Sequence, residues 1–169
     1  MKFAVASDIH GSAYWCERLL ESYRQNGCDK LVLLGDLMYH GPRNPLPEGY
    51  NPAKVAQMLN GHSDAIVAVR GNCDSEVDQM MLDFSCLDDY VIVQQDGTAL
   101  FCTHGHLELD DAMSSLDEGS IVLTGHTHIK ADEEKGGVRH LNPGSVGIPK
   151  DGSHSYLILE DGKPTFIEL

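Results

Sequence analysis

Residues of metal-binding type stand directly behind short apolar runs in this sequence. Phe3–Ala6 leads into Ser7-Asp8-Ile9-His10, Leu31–Leu34 into Gly35-Asp36, and Ala65–Val69 into Arg70-Gly71-Asn72. Ala99–Cys102 leads into Thr103-His104-Gly105-His106, and Ile121–Leu123 into Thr124-Gly125-His126-Thr127-His128. Three pairs, Asp8/His10, His104/His106 and His126/His128, are two residues apart, and in extended backbone side chains at i and i+2 point the same way. Carboxylate, imidazole and amide oxygen suit manganese, iron, zinc or cobalt, not a thiolate cluster or an all-oxygen calcium site. Asp8, His10, Asp36, Asn72, His104, His126 and His128 are too many ligands for one ion. They suit two ions sharing a carboxylate. Two ions about 3.5–4 Å apart can hold a phosphate, generate hydroxide and stabilise an in-line displacement. Taken singly, each residue is an ordinary turn or capping residue; the joint pattern carries the reading.

The elements that must position these residues follow from the apolar runs. Each run is continuous, the pattern of a strand buried on both faces. A helix fits Ser12 to Asn26, with Ser12 as N-cap, Trp15, Leu19, Leu20 and Tyr23 at helical spacing, and Gly27 as the stop. Others fit Pro52 to Leu59 and Asp110 to Leu116. Strand–helix–strand repetition implies parallel pairing and an α/β layered fold. Such sheets bind ligands beyond the carboxyl ends of their strands, so the residues above should converge. Met38–Asn51 (MYHGPRNPLPEGYN) is too rich in Pro and Gly for a regular element, and a loop of that length is often functional. Short strands, partly antiparallel, are expected at Arg139–Leu141, Tyr156–Leu159 and Thr165–Glu168, with turns at Asp151-Gly152 and Asp161-Gly162. The acidic run Asp132–Glu134 reads as a solvated loop. One domain over residues 1–169 is expected.

With 26 acidic and 12 basic residues the net charge is −14. That disfavours duplex nucleic acid and acidic membrane surfaces as partners. An acidic chain can still take a phosphate if it first binds metal, since two divalent ions reverse the local field. The start, MKFAVAS, meets Asp8 too soon for a signal peptide, and no apolar run has membrane length. Five cysteines without C-x2-C spacing read as free thiols in a reducing cytoplasm. Met80 and Met81 fit either a core or a homo-oligomer contact.

The ordered set D-x-H (Asp8–His10), G-D (Gly35–Asp36), G-N (Gly71–Asn72), H-G-H (His104–His106) and G-H-T-H (Gly125–His128) resembles the calcineurin-like metallophosphoesterases. HGPRN at 40–44, RGNCDSEVDQM at 70–80 and NPGS at 142–145 are most similar to the small bacterial YfcE-type phosphodiesterases. The resemblance implies a four-layer α/β/β/α fold with a central sandwich of two mixed sheets flanked by helices. It implies Asp8, His10 and His128 on one metal, Asn72, His104 and His126 on the other, and Asp36 bridging. It further implies a bridging hydroxide that attacks phosphorus, and two divalent ions, Mn2+ first, with Fe, Zn, Co or Ni as alternatives.

Most of that family has histidine after the metal-binding Asn; here the residue is Cys73, a weak donor and normally neutral. Weaker charge stabilisation favours a small phosphodiester with a good leaving group. Asn72, Cys73 and His106 are the candidate catalytic residues, and His40, Arg43 and Arg70 a candidate substrate rim. His62, His140 and His154 read as structural. Two other activities share the scaffold. One is a phosphomonoesterase or protein phosphatase. The other is a non-catalytic interaction module like the retromer subunit, whose mark would be lost ligands.

Overall fold

The computed structural model describes all 169 residues. The elements in chain order are β1 (Lys2–Ala6), α1 (Ala13–Gln25), β2 (Lys30–Leu33), α2 (Pro52–Asn60), β3 (Ile66–Ala68), α3 (Glu76–Gln79) and β4 (Tyr90–Gln95). They continue with β5 (Thr98–Thr103), α4 (Asp110–Met113), β6 (Ile121–Leu123), β7 (Lys130–Lys135), β8 (Val138–Pro143), β9 (Ser155–Glu160) and β10 (Lys163–Glu168). Two five-stranded sheets result, in the orders β10-β9-β1-β2-β3 and β4-β5-β6-β8-β7. Within the first, β1, β2 and β3 run parallel, β9 runs antiparallel to β1, and β10 runs antiparallel to β9. Within the second, β5, β6 and β8 run parallel between antiparallel edges β4 and β7.

Alternation along the strands explains the layers. Phe3 and Val5 point between the sheets with Val32, Leu34, Leu100 and Leu123. Ala4, Ala6, Leu31 and Leu33 point outward, where Cys16, Leu19, Leu20 and Tyr23 of α1 and Val55 and Leu59 of α2 cover them. Both faces of β1 and β2 are therefore dry, and truncating one such leucine to alanine costs about 2–5 kcal/mol. The outer face of the second sheet is thinly covered: α4 lies beside Val122, Val138 and His140. The architecture is the expected sandwich of two mixed sheets between helical layers, with the fourth layer reduced.

The helix starts follow capping chemistry. Ser12 Oγ accepts the Trp15 amide and Asn51 Oδ1 the Lys54 amide. Several details differ from expectation. The helix expected over Asp110–Leu116 stops at Met113. Asp132–Glu134 is not a loop but the middle of edge strand β7, where the backbone pairs with β8 and Arg139 holds Asp132 across the pair. Charged outward side chains are what an exposed edge favours. Strand β4 and short α3 were not anticipated. β4 joins β5 through Asp96-Gly97, both at positive φ, the geometry of a tight hairpin. Met80 is 85% exposed and Met81 is exposed too, which removes the core reading. No helix is long and apolar enough to cross a membrane.

Candidate metal centre

The segments after β1, β2, β3, β5 and β6 meet at one end of the sandwich. Asp8, His10, Asp36 and His128 are buried there at positive φ, and His126 shares that conformation. These are five of the seven non-glycine residues at positive φ, and the other two, Asp96 and Asp161, sit in hairpin turns. Such backbone costs about 1–3 kcal/mol per residue and persists where surrounding structure enforces it.

Three histidines are oriented in the same way. Nδ1 of His10, His104 and His128 faces the backbone carbonyls of Tyr39, Leu34 and Ile148 respectively. A carbonyl only accepts, so Nδ1 carries the hydrogen, and in the neutral ring the Nε2 lone pair points to the centre. His10 Nε2 lies 3.2 Å from His128 Nε2. Asp8 Oδ1 is 3.4 Å from His10 Nε2 and 3.1 Å from His128 Nε2. Asp36 Oδ2 lies 3.6 Å from His10 Nε2 and 3.5 Å from His104 Nε2, so it touches both groups of histidines. Asn72 Oδ1 stands 3.1 Å from His104 Nε2.

With the rings neutral, these are acceptor atoms facing acceptor atoms, and Asp8 Oδ1 is buried with no hydrogen-bond partner. Ligands on one ion with bonds of about 2.1 Å stand about 3 Å apart, close to the spacing here. The donor set therefore fits divalent cations. Asp8/His10/His128 and Asp8/Asp36/His104 each form a compact ligand group.

Electrostatics agree. Burial alone raises the Asp8 and Asp36 carboxyls, but His10 and His128 hold Asp8, and His104 holds Asp36, below the usual range. Burial lowers His104, yet Asp36 and Asp8 outweigh it and bring its pKa up to about 9. His10 is raised in the same way against its burial, chiefly by Asp8. Two buried carboxylates draw positive charge into the site.

The other expected residues are placed as follows. The His126 ring lies 5.1 Å from that of His104, and its backbone N–H donates to Asp8 Oδ2 at 3.0 Å. The His106 ring packs 5.3 Å from His104, with Nδ1 buried and unpartnered; burial and the neighbouring His104 lower its pKa. The Cys73 amide donates to Asp36 Oδ1 at 2.8 Å, and burial and Asp36 push its thiol up to about 12. Arg43, Cys73, Asn72, His126 and His128 line one open cavity of about 350 Å³ beside the candidate ligands. His40 and Arg70 do not line it. The His40 ring turns to the Tyr50 hydroxyl, and Arg70 Nε donates to the Asp74 carbonyl at 3.3 Å.

Sequence reasoning missed several supports. Asp74 accepts the amides of Asp36 and Gly71 at 2.7 Å and of Leu37 at 2.9 Å, tying the β2 and β3 loops together. Burial raises its pKa to about 6 against those donors. The NPGS segment is a second clamp: Ser145 Oγ and the Gly147 amide both donate to the Asp8 carbonyl at 2.9 Å, and Asn142 Nδ2 donates to Gly125 O at 2.7 Å. Lys150, also unforeseen, lines the cavity. An acidic residue closely following Asn72, and a Pro-Gly pair after a strand, were the available signals.

The sequence matches the model of the calcineurin-like phosphoesterase superfamily domain over residues 1–162. It is 48% identical to Phosphodiesterase YfcE of Escherichia coli strain K12 over 170 residues, covering 100% of this chain and 92% of that one. It is 27% identical to Phosphodiesterase MJ0936 of Methanocaldococcus jannaschii, covering 100% and 98%. The solved structure of YfcE, described as a phosphoesterase from E. coli, superposes with a TM-score of 0.90 at 49% identity, over 95% of this chain and 89% of that one. A buried Asp/His cluster at the strand ends, in this sandwich and with these relatives, leads to one conclusion: the chain belongs to the calcineurin-like phosphoesterase superfamily and is a metal-dependent phosphoesterase.

Proposed function

We propose that the protein hydrolyses small phosphodiesters at a dinuclear divalent-metal centre. Asp8, His10 and His128 would hold one ion, and Asn72, His104 and His126 the other, with Asp36 shared. The observation that carries this is the set of Nε2 lone pairs aimed at Asp8 and Asp36, since Asp36 Oδ2 stands within 3.6 Å of His10 and 3.5 Å of His104. Two ions there would supply an activated water and neutralise phosphoryl charge. Mn2+ suits the mixed oxygen and imidazole donors, as do Fe, Zn, Co and Ni.

The chain's own residues set the preference. Cys73 occupies the cavity wall as a neutral thiol, its pKa pushed up to about 12 by burial and Asp36. It offers no positive charge and only a weak S–H donor to a leaving oxygen. A diester carries one negative charge at neutral pH and asks less of that wall than a monoester does. His106 does not line the cavity; its ring packs against His104 and lies 6.3 Å from that of His126, where it can support those two rings. The relative named Phosphodiesterase YfcE agrees with the diester reading. Steady-state rates on matched 4-nitrophenyl mono- and diesters test it: the expected result is a higher kcat/KM for the diester. A monoester preference would replace it with a phosphomonoesterase, and no turnover of either with metals loaded would favour an interaction scaffold.

A further inference from the structure

The cavity beside the metal ligands is unusual for so acidic a chain. Arg43 enters it from the 38–51 loop and Lys150 from the segment after β8. They are two of only 12 basic residues, against 26 acidic ones. Lys2, Lys54, Lys130, Lys135 and Arg139 each pair with a carboxylate. Arg43 and Lys150 pair with none and make no side-chain hydrogen bond, so both cations are free to meet a ligand.

Their loops are held in place at the site. The Lys150 amide donates to the His128 carbonyl at 3.0 Å, which tethers it to a ligand residue. Asn44 Nδ2 donates to the His40 carbonyl at 2.9 Å and ties down the turn carrying Arg43. The rest of the lining is mostly polar, with Pro42 and Cys73 its apolar residues and no Phe, Tyr or Trp. Apart from the imidazoles of His126 and His128, which are proposed metal ligands, it offers no stacking platform for a nucleobase or aryl ring, which recognition of such groups commonly uses. An unpaired guanidinium and ammonium do match a phosphate, the first by its planar fork and the second as a point charge.

We propose that Arg43 and Lys150 form an anion subsite, and that the preferred substrate is a phosphodiester whose second alcohol carries a further phosphate. The inference rests on the diester reading above and adds the chemistry of the retained alcohol. The Coulombic contribution of exposed pairs is modest and salt-screened, so about a tenfold gain in kcat/KM is expected at low salt, fading at high salt.

The test compares 4-nitrophenyl 2-(phosphonooxy)ethyl phosphate with 4-nitrophenyl 2-methoxyethyl phosphate, which has no free hydroxyl to cyclise onto the diester, on the metal-loaded protein. The measured quantity is the ratio of their kcat/KM values. The expected ratio is about ten. It should fall towards one in the Arg43→Gln, Lys150→Gln double variant and survive in Lys150→Arg. A ratio near one in the unmodified protein, with both esters hydrolysed, overturns the subsite and leaves the diesterase reading standing. So does a ratio the double variant preserves. Hydrolysis of neither ester overturns the diesterase reading, and the subsite with it.

Discussion

Gly125 provides a steric test of how the site is held. A β-carbon at this position would overlap Ser7 Oγ and come within 2.8 Å of Ser7 Cβ and 2.9 Å of Asp8 Oδ2. Gly125 is not at positive φ, so Gly125→Ala introduces crowding without backbone strain. The Ser7 hydroxyl is buried without a partner and can turn away, but Ser7 Cβ cannot, so the Ser7 backbone and the Asp8 carboxylate must absorb the remainder. Overpacking of this kind costs about 1–3 kcal/mol, which lowers the melting temperature by about 3–10 °C in a chain of this size. Displacing a ligand by its support costs about 10–100-fold in metal affinity. Thermal unfolding in chelator reads the first effect, and Mn2+ titration the second. Ser7→Ala alone should change stability by under about 1 kcal/mol, because it removes an unsatisfied group. Combined with Gly125→Ala it should restore part of both losses, a coupling visible in a double-mutant cycle. Wild-type stability and metal affinity in Gly125→Ala would refute the reasoning, because the close approach of Gly125 to Asp8 would then carry no constraint.

Cys73→His should raise kcat on dialkyl esters relative to 4-nitrophenyl esters, by giving the leaving oxygen a proton donor; contributions of this kind reach about 10²–10⁴-fold. Equal rates on alkyl and aryl diesters in the unmodified protein would remove the premise. Chelation should lower the melting temperature, and metal at about 1,000 times its Kd should return about 4 kcal/mol. The chelated protein should also lose stability with rising pH. His104 sits at about 9 in the fold, above its ordinary 6.5, so its contribution is complete below pH 6.5 and fades as pH rises through 9. Metal affinity should climb over that same interval, because the proton on His104 must leave before a metal can bind. Unfolding curves and Mn2+ titrations at pH 6.5, 8 and 9.5 check both slopes.

What the sequence made legible was the part written in buried strands. The runs around Val5, Val32 and Leu123 are apolar throughout because helices and the facing sheet dry both sides, and each run ends at a candidate metal ligand. Strand β7 was unreadable for the opposite reason: KADEEK owes its extended form to backbone pairing with β8, which leaves no mark on residue type. Strand β4 alternates between half-buried and exposed positions, and its best local signal was Asp96-Gly97. Asp8, Asp36 and His128 were identifiable by type and spacing. Asp74 and Ser145 were not, because they act through backbone amides and carbonyls that sequence does not display. His40 and Arg70 have the chemistry of a rim, but Tyr50 and the Asp74 carbonyl engage them elsewhere.

The proposed sharing of the Asp36 carboxylate between two ions is where the account is most exposed. Asp36 Oδ2 lies between His10 and His104, so one substitution, Asp36→Asn, should break both metal sites together. Metal content by mass spectrometry after Mn2+ loading and desalting should give two ions per chain in the unmodified protein. The variant should hold one or none, with turnover lost. A single ion in the unmodified protein, or two retained in an active Asp36→Asn variant, would contradict a dinuclear centre bridged by this residue.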